Sequence, residues 1–401
     1  MSGKMRHTPH LLIFFFCTFF SIDPSPALSS GKFPYEMLGD QDALLVVDPN
    51  GKIILSKNSD DPLIPASTLK ILTSLVALHY LGEAHRFVTE FYLDREKNLK
   101  IKGYGDPFLV SEVISGIASE LSTRISTVNS ILLDDGFFSK PIEIPGVFPS
   151  FEPYDAPNGA LCANFNTVNF KKEKDGYVSA EPQTPLLPFV KNRIARSDLK
   201  EGRILLSNRQ DEMTLYFGHL LRYFLNEKGV KTGHRIGPGR IDESKDRMIF
   251  RFISPFSLHD VISELLKYSN NFVANQLFIT VGARVYGPPG NIEKGIRASQ
   301  EFIKHELNTE KIVVAEGSGI SRKNRISAKD MSRVLARFKP HRLLMTTKNG
   351  ESFKTGTLGG VSALAGYGED PHSSLYTFVI LLNTPGNRAD AVMKKIRAFL
   401  R

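Results

Sequence analysis

Three short motifs supply residue types that can break an amide bond. They are Ser67-Thr68-Leu69-Lys70, Ser269-Asn270-Asn271 and Lys354-Thr355-Gly356, in this order along the chain. The first gives a hydroxyl nucleophile with an amine base one helical turn away, and the second adds short polar side chains that can relay a proton. The third places a cation on a strand, where it can bind a carboxylate. Together they predict a serine acyl-transferase that acts on a peptide with a free C-terminus.

Each motif is weak evidence when it stands alone. Ser-x-x-Lys also occurs at Ser29/Lys32 and Ser197/Lys200, and a second Lys-Thr-Gly begins at Lys231. Short matches of this kind arise by chance, so the surrounding elements must select among them.

The elements around Ser67 favour it as the nucleophile. The run from Leu69 to Leu81 is apolar nearly all round and ends at Gly82, which predicts a buried helix. Ser67 is predicted at its N-terminus, where free N–H groups and the helix dipole stabilise an anion. Lys70, three residues later, lies on the same helix face. The local sequence also allows a simple N-cap serine beside a lysine whose stem covers apolar surface.

The elements around Lys354 predict a β-meander. Residues 354–367 are rich in small side chains and predict one strand, and residues 375–382 predict the next, a buried one. Residues 368–372 predict the turn between them. Lys354 is expected to begin its strand, and Gly356 is expected to allow close approach of a substrate backbone.

The first 30 residues predict a signal peptide. Lys4 and Arg6 precede an apolar segment at 11–20, followed by a polar region with proline. We therefore expect export to the periplasm or the cell-wall space, with an uncleaved anchor as the alternative. After removal of 1–30, Cys162 is the one remaining cysteine, which excludes a disulfide within the chain.

The spacing of the motifs predicts an interrupted domain. The 198 residues between Lys70 and Ser269 are too many for one connection in a compact domain. We expect a transpeptidase-like domain at 31–88 and 252–401, with an inserted domain at 89–251. The last helix has one apolar stripe and one basic face, which predicts packing on a sheet, with peripheral membrane contact as the alternative.

The chain carries a formal net charge of +9, which is compatible with an acidic polymer such as cell wall. The export signal and the absence of a nucleic-acid-binding signature argue against nucleic acid. Neither His-Glu-x-x-His nor Cys-x-x-Cys occurs, so we expect no metal and no cofactor.

The sequence as a whole resembles a known protein family. Besides the three motifs, the resemblance rests on Gly103–Pro107, Glu152–Pro157, Leu265–Tyr268 and Glu316–Arg322, and it spans about 35–383. The chain is similar to the low-molecular-mass class C penicillin-binding proteins, the D-alanyl-D-alanine carboxypeptidases/endopeptidases of bacterial cell-wall metabolism. The resemblance implies an α+β fold: a β-lactamase/transpeptidase-like domain, with an antiparallel sheet flanked by helices, and a large inserted domain.

The resemblance also implies roles. Ser67 would be the nucleophile, Lys70 its base and Ser269 a proton relay. The expected substrate-binding residues are Asn271, Lys354, Thr355, Gly356 and Thr357, the last through its oxyanion-binding N–H. Substrates would be peptidoglycan stem peptides ending in D-Ala-D-Ala, and β-lactams would be acylating inhibitors.

The chemistry requires a neutral Lys70, because only the free amine can take the serine proton. Burial and a second cation, Lys354, would both lower its pKa. The oxyanion would bind backbone N–H groups, including that of Ser67.

The sequence departs from the family pattern at two places, one that bears on the fine tuning of the site and one that bears on substrate access. Asn270 stands where the family usually has Asp, and the segment between Ser321 and Lys354 is short. This segment is expected to form a rim that shapes access to the site, and its short length favours carboxypeptidase over endopeptidase activity. The alternatives are a β-lactamase and a non-catalytic wall-binding protein of the same fold. Labelled penicillin separates the three: a persistent adduct indicates the carboxypeptidase, rapid turnover a β-lactamase, and no adduct the non-catalytic protein.

Overall fold

The computed structural model describes residues 32–370 and 373–400. The predicted signal peptide, and Ser29 with it, lies outside these residues. The described chain forms an α+β fold with three sheets.

The strands have the following bounds: β1 (Asp42–Val47), β2 (Ile53–Lys57), β3 (Arg86–Leu93), β4 (Leu99–Gly103), β5 (Thr127–Asp134), β6 (Thr167–Glu173), β7 (Gly176–Ser179), β8 (Glu201–Leu205), β9 (Lys231–Pro238), β10 (Arg247–Ser257), β11 (Thr346–Lys348), β12 (Glu351–Leu358), β13 (Val361–Glu369) and β14 (Leu375–Leu382).

The α-helices have these bounds: α1 (Lys70–Leu81), α2 (Ser111–Ser122), α3 (Pro188–Ala195), α4 (Gln210–Glu227), α5 (Leu258–Tyr268), α6 (Asn271–Tyr286), α7 (Ile292–Glu306), α8 (Ala328–Phe338) and α9 (Ala389–Phe399). Short 3₁₀ helices lie at Tyr35–Met37, Ala66–Leu69, Pro153–Asp155, Asn164–Asn166 and Lys339–Leu344. Within the described ranges, no helix is long and apolar enough to cross a membrane.

The six-stranded sheet has the order β11-β12-β13-β14-β1-β2, and its neighbours are antiparallel. Its central strands are apolar on both faces because helices cover both. Phe378 and Ile380 of β14 join the core beneath α9, whereas Val379 and Leu381 join the core that contains α1, α6 and α8. The predicted packing of the last helix on the sheet is therefore confirmed.

The predicted single strand at 354–367 is wrong. The segment forms two strands, β12 and β13, joined at Gly359 and Gly360, and Leu358 pairs with Val361. Gly360 has φ +74°, which a two-residue hairpin turn favours. The pattern misled because small residues fill the strands as well as the turn. Lys354 is accordingly the fourth residue of β12 rather than the first residue of a strand.

Residues between α1 and α5 form the other two sheets. A mixed sheet has the order β10-β3-β4-β5-β9, and a small antiparallel sheet has the order β7-β6-β8. They enclose a separate apolar core with α2, α3 and α4. The mixed sheet begins at Arg86 and ends at Ser257, slightly outside the predicted insert of 89–251, and the domain boundaries remain a prediction. The second Lys-Thr-Gly begins β9 of this sheet.

Candidate active site

Ser67 lies in the 3₁₀ turn Ala66–Leu69, directly before α1. Ala66 has φ +47°, an uncommon backbone conformation for a residue with a Cβ, and its side chain is buried. The Nζ of Lys70 lies 2.9 Å from the Ser67 Oγ. The predicted nucleophile and base are therefore within hydrogen-bond distance of each other.

Lys70 is fully buried at the start of α1. Besides Ser67, its Nζ donates to the Oδ1 of Asn271 at 2.8 Å and to the carbonyl of Ser318 at 2.6 Å. These contacts join α1, α6 and the loop before α8 at one amine. The same hydrogen bonds hold the amine in place beside the serine.

The surroundings of Lys70 favour the free amine. Burial lowers the pKa of Lys70 well below its usual value, and the charge of Lys354 lowers it further. The carboxylate of Glu316 acts in the opposite direction. Burial also lowers the pKa of Lys354, to about 8. The expected causes of the Lys70 shift are thus both present.

Glu316 organises the loop that Lys70 contacts. Its buried carboxylate accepts hydrogen bonds from the N–H groups of Ser318 at 2.6 Å, Gly319 at 2.8 Å and Ser321 at 3.3 Å. It also accepts from the Ser318 hydroxyl at 2.6 Å and from the Nδ2 of Asn324 at 2.7 Å. Sequence reasoning gave Glu316 no role beyond its place in the stretch Glu316–Arg322. The signal it offered was an acidic residue directly before Gly-Ser-Gly, whose free N–H groups a carboxylate can satisfy.

Two glycines contact the backbone of the Ser67 turn. A Cβ on Gly319, which has φ +85°, would lie 1.9 Å from the Ala66 carbonyl oxygen. A Cβ on Gly356 of β12 would lie 2.9 Å from the Ser67 nitrogen. Both positions need glycine because backbone meets backbone there. The sequence predicted close approach of a substrate backbone at Gly356, whereas in the structure the backbone that lies close to it is the Ser67 turn.

Buried and exposed side chains alternate along β12 from Lys354 to Thr357. Lys354 is buried, and its Nζ donates to the Thr355 carbonyl at 2.9 Å, whereas Thr355 and Thr357 are exposed. β11 pairs only with Glu351–Phe353, so the outer edge of β12 beyond that point has no strand partner among the described residues. An extended peptide can add to such an edge by main-chain hydrogen bonds.

The second motif lies at the corner between α5 and α6. Ser269 adopts a left-handed conformation with φ +57°, and the Oδ1 of Asn270 accepts from the N–H of Val273 at 3.1 Å as the N-cap of α6. Asn271 contacts Lys70, and its Nδ2 donates to the Tyr154 carbonyl at 3.3 Å. Asn can therefore serve at position 270 as a helix cap. In the described part of the chain, the Ser269 hydroxyl has no hydrogen-bond partner.

A cavity of about 860 Å³ adjoins the second motif. Its described walls combine apolar side chains with Arg203, Asp260 and Glu264. They are Phe108, Val110, Pro153, Tyr154, Phe165, Thr167, Arg203, Phe256, Asp260, Ser263, Glu264, Tyr268, Ser269, Asn270, Asn271 and Val273. The cavity therefore extends the candidate site beyond the second motif.

The other sequence matches lie elsewhere. Ser197 follows α3, where its hydroxyl donates to the Ile194 carbonyl at 2.7 Å. Cys162 is a buried free thiol, and burial raises its pKa to about 12. Among the described residues, no group of three or more His, Cys, Asp or Glu side chains could hold a metal ion.

Comparison with known proteins identifies the family. The model of the D-Ala-D-Ala carboxypeptidase 3 (S13) family matches residues 36–197 and 201–350, more than three quarters of the chain. The match includes Ser67, Lys70 and the second motif, and it ends before Lys354. The chain belongs to this family and is a serine-type D-Ala-D-Ala carboxypeptidase.

Individual relatives are distant. A D-alanyl-D-alanine carboxypeptidase from Actinomadura sp. is 24% identical and aligns over 89% of this chain and 83% of its own length. Penicillin binding protein 4 (dacB) from Haemophilus influenzae has a similar structure, with a TM-score of 0.73 at 19% identity, covering 91% of this chain and 97% of its own. A predatory endopeptidase from Bdellovibrio bacteriovorus gives a TM-score of 0.55 at 14% identity, covering 89% and 92%. These structural matches support the fold.

Proposed function

We propose that this member of the D-Ala-D-Ala carboxypeptidase 3 (S13) family releases the terminal D-Ala of peptidoglycan stem peptides through an acyl-enzyme on Ser67. The observation that carries the proposal is the 2.9 Å contact between Ser67 Oγ and the Nζ of a fully buried Lys70. A buried amine with a lowered pKa can take the serine proton near neutral pH.

The reaction has two steps. Ser67 Oγ attacks the carbonyl carbon of the penultimate D-Ala while its proton passes to Lys70. The tetrahedral intermediate then breaks its C–N bond, and the leaving amine takes up a proton as D-Ala departs. Water next attacks the ester, releases the shortened peptide and restores the Ser67 hydroxyl.

The remaining site residues have binding roles in this proposal. The N–H groups of Ser67 and Thr357 hold the oxyanion, each contributing on the order of 10²–10³-fold. Lys354 and Thr355 bind the terminal carboxylate, and Gly356 lets β12 approach the Ser67 turn. Asn271 binds the peptide, and the free hydroxyl of Ser269 relays the proton to the leaving amine.

A second activity, cleavage of cross-links between stem peptides, is supported by the cavity of about 860 Å³ beside the second motif. A cross-linked substrate carries a second peptide beyond the scissile bond and needs such room. We place both activities in the periplasm or the cell-wall space, on the strength of the predicted leader and the substrate.

Purified pentapeptide muropeptides test the proposal. Incubation followed by mass spectrometry is expected to show loss of one alanine, and labelled penicillin is expected to remain on Ser67 in a peptide map. Ser67→Ala is expected to abolish both while the protein stays folded, since the change removes one hydroxyl that caps no helix.

The alternatives give different outcomes. Intact pentapeptides with rapid hydrolysis of the β-lactam would support a β-lactamase and contradict the proposal. An adduct on Ser269 or Ser197 would contradict the assigned nucleophile. Cleavage of cross-linked dimers to monomers would establish the second activity, and intact dimers would exclude it.

A further inference from the structure

A second groove lies between α3 and α4, on the part of the chain that separates the first two motifs. Its volume is about 800 Å³, within the range of sites that bind small molecules or short peptides. Leu187, Leu206 and Met213 contribute apolar surface. Phe189 and Tyr223, which are 37% and 39% exposed, add aromatic faces. The proposed catalytic residues do not line this groove.

The groove has an excess of positive charge. Arg193, Arg196 and Arg222 line it, and Glu212 is the one acidic side chain among the described lining residues. Glu212 already accepts a hydrogen bond from the Ser207 hydroxyl and lies 3.5 Å from the Nε of Arg209. Glu212 also interacts electrostatically with Arg193, so one carboxylate faces three lining arginines and the groove keeps a net positive charge.

Arg193 carries an unsatisfied donor beside the groove. Its guanidinium stacks on the ring of Phe151, 4.1 Å from the centroid. Its Nε is buried and has no hydrogen-bond partner among the described residues. A buried donor without a partner costs free energy, and a shift of the side chain that brings Nε onto an anion in the groove would satisfy it.

Arg222 and His219 form the opposite wall on α4. An Nη of Arg222 donates to the His234 carbonyl at 2.9 Å, and the other lies 3.2 Å from the Nδ1 of His219. Burial, followed by the charge of Arg222, lowers the pKa of His219. His219 is thus neutral at pH 7, and the positive charge of the groove comes from the arginines.

We propose that the α3–α4 groove binds a second stem peptide of the peptidoglycan substrate, with peptide carboxylates on Arg193 and Arg196 and alanine methyl groups on the apolar floor. Guanidinium groups bind carboxylates through paired hydrogen bonds, and the floor suits small aliphatic side chains. The inference rests on the proposed function. It makes the groove an anchor that keeps the polymer bound while the active site cuts another peptide.

The test measures sedimentation of the protein with insoluble peptidoglycan, in the Ser67→Ala background so that the polymer stays intact. Arg196→Glu is expected to weaken binding about tenfold or more, and the milder Arg193→Gln several-fold. Arg95→Glu, at an exposed position in the turn between β3 and β4, makes the same charge change and is expected to leave binding unaltered. Amidation of the peptidoglycan carboxylates is expected to weaken binding at least as much as Arg196→Glu does, since it also removes the terminal carboxylate that Lys354 is proposed to bind.

Several results would overturn the anchor. Unchanged binding by Arg196→Glu and Arg193→Gln would do so, as would an equal loss in Arg95→Glu, which indicates net charge alone. Undiminished binding to amidated peptidoglycan would exclude carboxylates as the ligand. Penicillin acylation of Arg196→Glu with Ser67 intact separates the two proposals: a normal rate is expected, and failure of the unaltered protein to acylate would contradict the proposed function instead.

Discussion

Lys70 and Lys354 are both buried, and the proposed mechanism requires a different protonation state of each. Lys70 must be neutral to take a proton from Ser67, and burial together with Lys354 favours that form. Lys354 must be charged to bind a carboxylate, and its pKa of about 8 keeps it charged below that pH. Turnover is thus expected to fall in acid as Lys70 protonates and to fall above about pH 8 as Lys354 loses its proton.

Glu316 is expected to set the acid limb of this profile. Glu316→Gln removes the one charge that raises the pKa of Lys70, so the limb moves to lower pH. The amide NH2 is a donor and cannot accept from the N–H groups that the carboxylate bound. We therefore expect the loop to be less well held, acylation to slow, and the free energy of unfolding to fall by about 1–3 kcal/mol. The measurement is the second-order rate of penicillin acylation between pH 4 and pH 10.

Glu316→Asp is the matched control because it keeps the charge and shortens the reach to the loop. It is expected to slow acylation while leaving the acid limb near its original pH. If Glu316→Gln and Glu316→Asp slow the reaction equally with no difference in the limb, Glu316 acts through loop geometry alone.

At the scale of elements, the position of Ser67 depends on backbone contacts from two sides. The loop around Gly319 lies against the Ala66 carbonyl, and β12 lies against the Ser67 nitrogen at Gly356. The left-handed conformation of Ala66 persists because the neighbours on both sides enforce it. A displacement of either neighbour moves Ser67, the proposed nucleophile, relative to β12.

Gly319→Ala is expected to slow acylation by about 10–100-fold, because its Cβ would collide with the Ala66 carbonyl and shift the Ser67 turn. Gly386→Ala is the control, since Gly386 has a similar φ of +90° but no atom within 4 Å of the added Cβ. Both variants lose stability from backbone strain, on the order of 1 kcal/mol. Equal acylation rates in both variants, measured with labelled penicillin, would show that the contact does not position Ser67.

The elements differ in how far sequence could predict them. The helix after Ser67 was predictable because residues 70–78 are all buried and the apolar run shows it directly. The hairpin of β12 and β13 was missed because its turn glycines look like the glycines inside the strands. The role of Glu316 was missed for another reason: its partners are mostly backbone N–H groups, and the one clue in the sequence was an acidic residue directly before Gly-Ser-Gly.

The second motif was recognisable as a corner between helices, but its contacts were not. Asn271 meets Lys70 across 201 positions of sequence and meets the Tyr154 carbonyl across 117. Such pairings depend on how the whole chain folds, so local pattern contains no signal for them. Asn270 is the N-cap of α6, a role that depends on where the fold begins that helix.

At the scale of the whole molecule, the segment around Tyr154 connects the separate apolar core, which the mixed sheet and the small antiparallel sheet enclose, to the candidate active site. Asn158 donates from its buried Nδ2 to the Phe272 carbonyl at 2.9 Å and to the Oε1 of Gln276 at 2.8 Å. Gln276, also buried, donates from its Nε2 to the Gly159 carbonyl at 2.7 Å. These bonds fix the segment against α6, the helix that begins with Asn271.

Gln276→Ala is expected to lower the free energy of unfolding by about 1–3 kcal/mol, because it leaves the Gly159 carbonyl with only the weak thiol donor of Cys162 and removes the Oε1 acceptor of Asn158. Acylation is expected to slow several-fold as well, since the segment that supplies the Tyr154 carbonyl to Asn271 becomes less constrained. Urea unfolding and labelled penicillin measure the two effects. Gln183→Ala, at an exposed position on the same part of the chain, is expected to change neither. A loss of stability in Gln276→Ala with a normal acylation rate would mean that the segment stabilises the fold without positioning Asn271.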